Sequence, residues 1–199
     1  MKIAILGDLH FGARNDSQEF LSYFDKFFEE IYFPELKKRG ISQVIQLGDI
    51  VDRRKFINYL TLNKLKSFID KHRDNNITLH VLIGNHDVPF RNTNSINSMN
   101  ELFSEHNFLN SYADPKEIEL DGCKVLMMPW INSSNYEECM KIMETTKAQI
   151  LFGHLEIKGF EMYRGMPSHD GFDVSKFDKF DTVFSGHFHR KSESGNIKY

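Results

Sequence analysis

Five segments of this chain end alike, each with a short apolar run, then a glycine, then a side chain able to hold a metal or a proton. They are Leu6-Gly7-Asp8-Leu9-His10, Leu47-Gly48-Asp49-Ile50-Val51-Asp52, Ile83-Gly84-Asn85-His86-Asp87, Phe152-Gly153-His154 and Ser185-Gly186-His187-Phe188-His189. Such runs read as buried strands. In an α/β sheet the carboxyl ends of strands form the functional rim, so five such endings predict one shared site. Glycine permits the sharp exit and the close backbone approach that a side chain would block. In extended chain, residues i and i+2 face one side, which would send Asp8 with His10, and His187 with His189, toward a common point. The endings supply carboxylates, one amide oxygen and several imidazoles, a mixed hard and borderline donor set suited to a pair of divalent transition-metal ions. Five of the nine histidines lie in these endings. A lone histidine is usually a hydrogen-bonded structural residue, but recurrence in one context argues for a shared role. Of the other four, His72, His80 and His106 read as core or surface residues, and His169 stands open.

The surrounding pattern is that of an α/β domain, short β-type runs alternating with helical ones. Lys2 to Leu6, Val44 to Leu47, Thr78 to Ile83, Gln149 to Phe152 and Thr182 to Phe184 are expected strands. Asp16 and Glu19 fit a capping box ahead of a helix bearing Phe20, Leu21, Phe24, Phe27, Phe28 and Ile31, with a kink or break at Pro34 and a stop at Gly40. A second helical face carries Leu62, Leu65, Phe68 and Ile69. Asp121-Gly122 between two β-type runs signals a hairpin, and Ser134 with Glu137 suggests a capped helix through Met143. A long irregular stretch precedes the last strand. The 18 phenylalanines fall mostly on these faces and read as core.

At 199 residues and 40% apolar, the chain has the size and the apolar content of one domain with a substantial core. No apolar run nears the roughly 18 residues of a membrane span, and Asp8 interrupts the start where a signal peptide would stay apolar. A cytoplasmic protein is expected. Cys123 and Cys139 form no Cys-x-x-Cys pair, which excludes a zinc ribbon and a disulfide framework. A net charge of -3 gives no global attraction to nucleic acid, so contact with it would need local basic patches or a partner chain.

The blocks Asp-x-His, Gly-Asp-x-x-Asp, Gly-Asn-His-Asp, Gly-His and Gly-His-x-His, in that order from Asp8 to His189, resemble the calcineurin-like metallophosphoesterase superfamily. Within it the chain is most similar to the SbcD-like nuclease subunits of double-strand-break repair complexes, including those of tailed phages. Weaker supporting stretches are the run from Leu47 to Lys55, Met128-Pro129-Trp130, Gly159-Phe160 and the run from Gly165 to His169. The resemblance implies a two-sheet sandwich with mixed sheets, flanked by helices. It implies one metal held by Asp8, His10, Asp49 and His189 and a second by Asp49, Asn85, His154 and His187, with Asp49 as the bridge. Manganese is the metal expected, with iron, zinc or cobalt as alternatives.

The reaction implied is hydrolysis of a phosphate ester by in-line attack of a metal-bridging water or hydroxide. His86, outside the ligand set, would stabilise charge or protonate the leaving oxygen, with Asp52 as its orienting partner. Asp52 stands where the cellular repair nucleases commonly carry a second histidine. Arg53, Arg54 and Lys55 form a small basic rim suited to a nucleic-acid backbone, or ordinary solvated charge. Asp87 reads equally as a support for the site or a turn residue. The stretch from Lys158 to Asp173, with His169, could cover substrate. The expected function is a DNA exonuclease or endonuclease subunit in recombination and repair, with DNA and an SbcC-like ATPase as partners, a homodimer as a candidate assembly, and the host cytoplasm as location if phage-encoded. The alternatives are a small-molecule phosphodiesterase or phosphomonoesterase, and an inactive binding module. Residues 1–199 would be one catalytic domain lacking a C-terminal capping region, with Asn196 to Tyr199 as a strand just begun.

Overall fold

The computed structural model describes residues 2–199. Two sheets pack face to face with helices outside both. The first is all parallel, in the order β1 (Ala4–Leu6), β2 (Gln43–Gln46), β3 (Thr78–Leu82), β4 (Leu109–Tyr112). The second is mixed. Its strands β5 (Lys116–Leu120), β6 (Cys123–Met128), β7 (Ile150–His154), β10 (Thr182–Gly186), β11 (Glu193–Ser194) and β12 (Ile197–Lys198) lie in the order β11-β12-β10-β7-β6-β5. Strands β6, β7, β10 and β12 run parallel, with antiparallel partners at both edges. This is the expected sandwich with mixed sheets.

Strand alternation assigns the layers. Val44, Leu79 and Val81 face a helical layer containing Leu21, Phe28, Leu65 and Phe68, whereas Ile45 and Leu82 face the second sheet. On that sheet Val125, Met127 and Phe152 point inward, while Leu126, Leu151 and Val183 pack beneath the helix Tyr136–Thr145. A period of two with both faces apolar is what a buried strand in a layered α/β fold requires. The parallel arrangement brings the carboxyl ends of β1, β2, β3, β7 and β10 to one rim.

Several local expectations need correction. The helix Gln18–Phe27 is capped by Ser17, whose hydroxyl accepts from the Phe20 N–H at 3.3 Å. Asp16 instead accepts from the Thr61 hydroxyl and pairs with Arg53. Pro34 does not break the helix. A π-helical turn, Phe28–Tyr32, runs without a break into the helix Phe33–Arg39, and Pro34 stands just past that wider turn, which accommodates its ring and missing N–H. Ser134 bonds Asn132 and caps nothing, and Asn135 occupies the cap position. The stretch expected to be irregular contains a small hairpin, β8 (Glu161–Tyr163) with β9 (Met166–Pro167), and a 3₁₀ turn at Val174–Phe177. Strand β4 and the helix Ser98–Phe103 carry too little periodicity to be read from sequence. Among the described residues no helix is long and apolar enough to cross a membrane.

His72 is fully buried between the Tyr32 hydroxyl and the Phe68 carbonyl. Burial pushes its pKa down to about 4. The unfolded chain, at about 6.5, therefore binds a proton that the folded chain refuses, so this contribution to stability is complete above pH 6.5 and is lost as pH falls toward 4. Unfolding free energies from urea titrations should drop by about 2 kcal/mol between pH 7 and pH 5 through this residue. In His72→Gln the pH difference should shrink by that amount, and an undiminished difference would refute the assignment.

Candidate metal centre

All five glycine-terminated strands deliver their side chains to the common rim. Asp8, His10 and His189 form one group of donors, and Asp49, His154 and His187 another, the atoms of each group lying within 4.8 Å of one another. Asn85 joins the second, its Oδ1 lying 3.0 Å from His154 Nε2 and 3.0 Å from His187 Nδ1. Asp49 stands between the groups. Its Oδ2 is 3.4 Å from His154 Nε2 and 3.8 Å from His10 Nε2, and its Oδ1 accepts the His86 backbone N–H at 2.7 Å.

The exits are not extended. His10, Asp49 and His187 all have positive φ, at 45°, 54° and 88°. The i, i+2 pairing nevertheless holds for Asp8 and His10, which share a group, and fails for His187 and His189, which serve different ones. Backbone held in the left-handed region costs of order 1 kcal/mol or more per residue and persists only where surrounding contacts enforce it. At Asp49 the enforcing group is Asp87. Its buried carboxylate accepts the N–H groups of Asp49, Ile50 and Val51 at 2.8, 3.0 and 3.2 Å, and of Gly84 at 2.9 Å. Asp87 is thus a support of the site as well as a turn residue. Glycine is required by space as well as conformation. A Cβ on Gly84 would lie 2.3 Å from Asp49, and one on Gly186 would lie 2.4 Å from Asp8 Oδ1.

Sequence reasoning missed Gln46. Buried at the end of β2, it accepts the Gly48 N–H and donates to the carbonyls of Gly7 and Gly48, tying two exits together. A polar residue inside an apolar strand was its only signal. Trp130, noted only within a supporting stretch, has its ring 5.1 Å from that of His187 and 6.0 Å from that of His154.

The donor set fits divalent cations. Metal-binding imidazole must be neutral, and burial lowers the pKa of His10 and pushes that of His187 down to about 4. His10 Nε2 and His189 Nε2 face each other at 3.0 Å, a contact in which only one of the two can bear a proton. Burial opposes charge on His154, yet the neighbouring Asp49 and Asp8 carboxylates raise its pKa. The same pull for positive charge favours a cation. His154 Nδ1 donates to the Leu47 carbonyl at 2.7 Å, which fixes Nε2 toward the donor group.

The remaining predicted residues separate. His86 sits beside the donors, its ring 4.8 Å from that of His10, and its Nδ1 contacts the Asp52 backbone carbonyl at 2.5 Å. The carboxylate of Asp52 does not orient His86 as expected and lies 3.4 Å from His10 Nδ1. The reason is backbone pairing. The Asp52 N–H bonds the Phe11 carbonyl, which lays Asp52 alongside the His10 segment. Arg53 is spent on Asp16 and Asn15, while Arg54 donates only to the Val88 carbonyl. His169 is exposed on the loop after β9 and belongs to none of the donor groups. A cleft of about 830 Å³ opens beside Asp8 and His189, with Phe184, Phe188 and Tyr199 on its walls.

The family model described as calcineurin-like phosphoesterase matches residues 1–191. Exonuclease subunit 1 of enterobacteria phage T4 is 35% identical over 200 residues, which is 100% of this chain and 58% of the relative. The chain thus spans somewhat more than half the length of that relative. A solved structure from Aquifex aeolicus, titled as the protein of unknown function AQ665, superposes with a TM-score of 0.40 at 18% identity, over 77% of this chain and 80% of that one.

Proposed function

Since this chain belongs to the calcineurin-like phosphoesterase family, whose members use divalent metals, we propose that it is a metal-dependent phosphodiester hydrolase acting on DNA. One observation carries the proposal, the convergence of seven donor side chains on one rim with a further imidazole, His86, within 4.8 Å of the His10 and Asp49 donor atoms. In this reading Asp8, His10, Asp49 and His189 hold one cation and Asp49, Asn85, His154 and His187 the other. Manganese is the metal proposed. When bound, such a pair supplies Lewis-acid activation of water and neutralises charge on the phosphoryl oxygens.

The chain's own groups do the rest. The Asp52 carbonyl holds the proton on His86 Nδ1, so Nε2 is the atom that meets substrate. Protonated, it stabilises charge on the phosphoryl group and passes its proton to the leaving oxygen. Asp87 and Gln46 keep the exits of the strands in register without touching substrate. DNA as substrate, and an SbcC-like ATPase as companion, are supported by the relative's name, exonuclease subunit 1. Incubation with manganese and bis-p-nitrophenyl phosphate, p-nitrophenyl phosphate or single-stranded DNA tests the reading. Diester and DNA turnover are expected. Intact DNA beside rapid monoester turnover would replace the nuclease with a small-molecule phosphatase.

A further inference from the structure

Of the 18 phenylalanines, only Phe56 and Phe90 are exposed among the described residues, at 65% and 52%. Both lie on loops that leave the candidate centre. Phe56 lies four residues beyond Asp52, whose carbonyl holds His86, and Phe90 lies four residues beyond His86 itself. The two loops are stitched together twice, by His86 Nδ1 on the Asp52 carbonyl and by Arg54 Nε donating to the Val88 carbonyl at 3.1 Å. Exposed aromatic rings on loops held this firmly are not packing residues, and large apolar groups left in water on a fixed loop point to a partner.

Cationic side chains interleave with the rings. Arg54, Lys55 and Arg91 have no acidic partner within ion-pair distance among the described residues. Partial burial, and then the charge of the neighbouring Arg91, lower the pKa of Arg54. Two unpaired guanidinium groups beside one another form a site for an anion with several oxygens. Arg53 is neutralised by Asp16 and lies over the Phe56 ring at 5.1 Å, holding the ring in place. A cavity of about 190 Å³ lies between the loop 53–57 and the helix Ser98–Phe103, with Arg54, Lys55 and Phe56 among its lining residues and Glu101 on the helix side.

We propose that the loops 53–57 and 88–91 form a strip that binds single-stranded polynucleotide, with backbone phosphates on Arg54, Lys55 and Arg91 and unpaired bases stacked on Phe56 and Phe90. Alternating cations and exposed rings match single strands, whose bases offer free faces; a duplex hides them. The strip leads a strand to His86, and it rests on the phosphoesterase reading above only for its purpose, since binding is measured without turnover.

The test is fluorescence anisotropy of a nuclease-resistant phosphorothioate decathymidylate across a salt series, with manganese present. Arg91→Gln should weaken binding roughly tenfold and lower the slope of log Kd against log salt by about 0.7, the value for one phosphate contact on a single strand. Phe56→Ala and Phe90→Ala should each weaken binding roughly five- to a hundredfold with the slope unchanged, and should spare affinity for duplex. Wild-type affinity in these variants, or equal losses on duplex, would overturn the strip. Hydrolysis of bis-p-nitrophenyl phosphate by the wild type reports the underlying reading separately. Turnover with unaltered DNA binding in the variants refutes the strip alone, and predicted binding losses without turnover by the wild type refute the hydrolase alone.

Discussion

Asp49→Ala is expected to empty both halves of the candidate centre at once and to reduce phosphodiester hydrolysis by at least about a thousandfold. The Asp49 Oδ2 reaches both donor groups, facing His154 Nε2 at 3.4 Å and His10 Nε2 at 3.8 Å. A carboxylate divides its charge between two cations, whereas a histidine serves one. Loss of Asp49 should also remove the charge that keeps His154 ready for a positive partner. The backbone at position 49 should hold, because Asp87 grips it through three successive N–H groups. Elemental analysis of the purified variant checks the claim alongside its circular dichroism. Wild-type metal content in a folded Asp49→Ala protein would remove the bridge from the account.

The second large effect separates chemistry from metal binding. His86→Ala should lower kcat on a phosphodiester by roughly a hundred- to ten-thousandfold, the usual range for a lost proton-transfer group, with metal content equal to that of the wild type. Its imidazole is anchored at Nδ1 by a backbone carbonyl that the substitution leaves in place. The backbone N–H that bonds Asp49 is likewise retained. Paired kinetics and metal analysis read the outcome. Retained activity would exclude His86 from the reaction, and lost metal would make it a ligand.

The donor set was legible because it is written into strand ends, where sequence order and spatial order coincide. The sandwich followed from a resemblance carried by the same residues. What could not be read depends on backbone turned out of its extended path. The positive φ of Asp49 and His187 turns side chains off the extended path and splits His187 from His189, and the grip of Asp87 and Gln46 holds the turn at Asp49 while Asp8 accepts the His187 N–H. Asp52 orients His86 as expected, but through its backbone carbonyl and not its carboxylate. Pairing with Phe11 turned its carboxylate to His10 and left its carbonyl to His86. Arg53 leaves the expected basic rim because Asp16, freed by the Ser17 cap, pairs with it. The exposed Phe56 and Phe90 were hidden among sixteen other phenylalanines that do pack.

The central claim is that one rim holds two cations sharing Asp49. Titration of metal-stripped protein with manganese, followed by electron paramagnetic resonance, tests it most directly. Two ions per chain with the exchange-coupled signal of a close pair are predicted, and a single uncoupled ion at saturation would contradict the account.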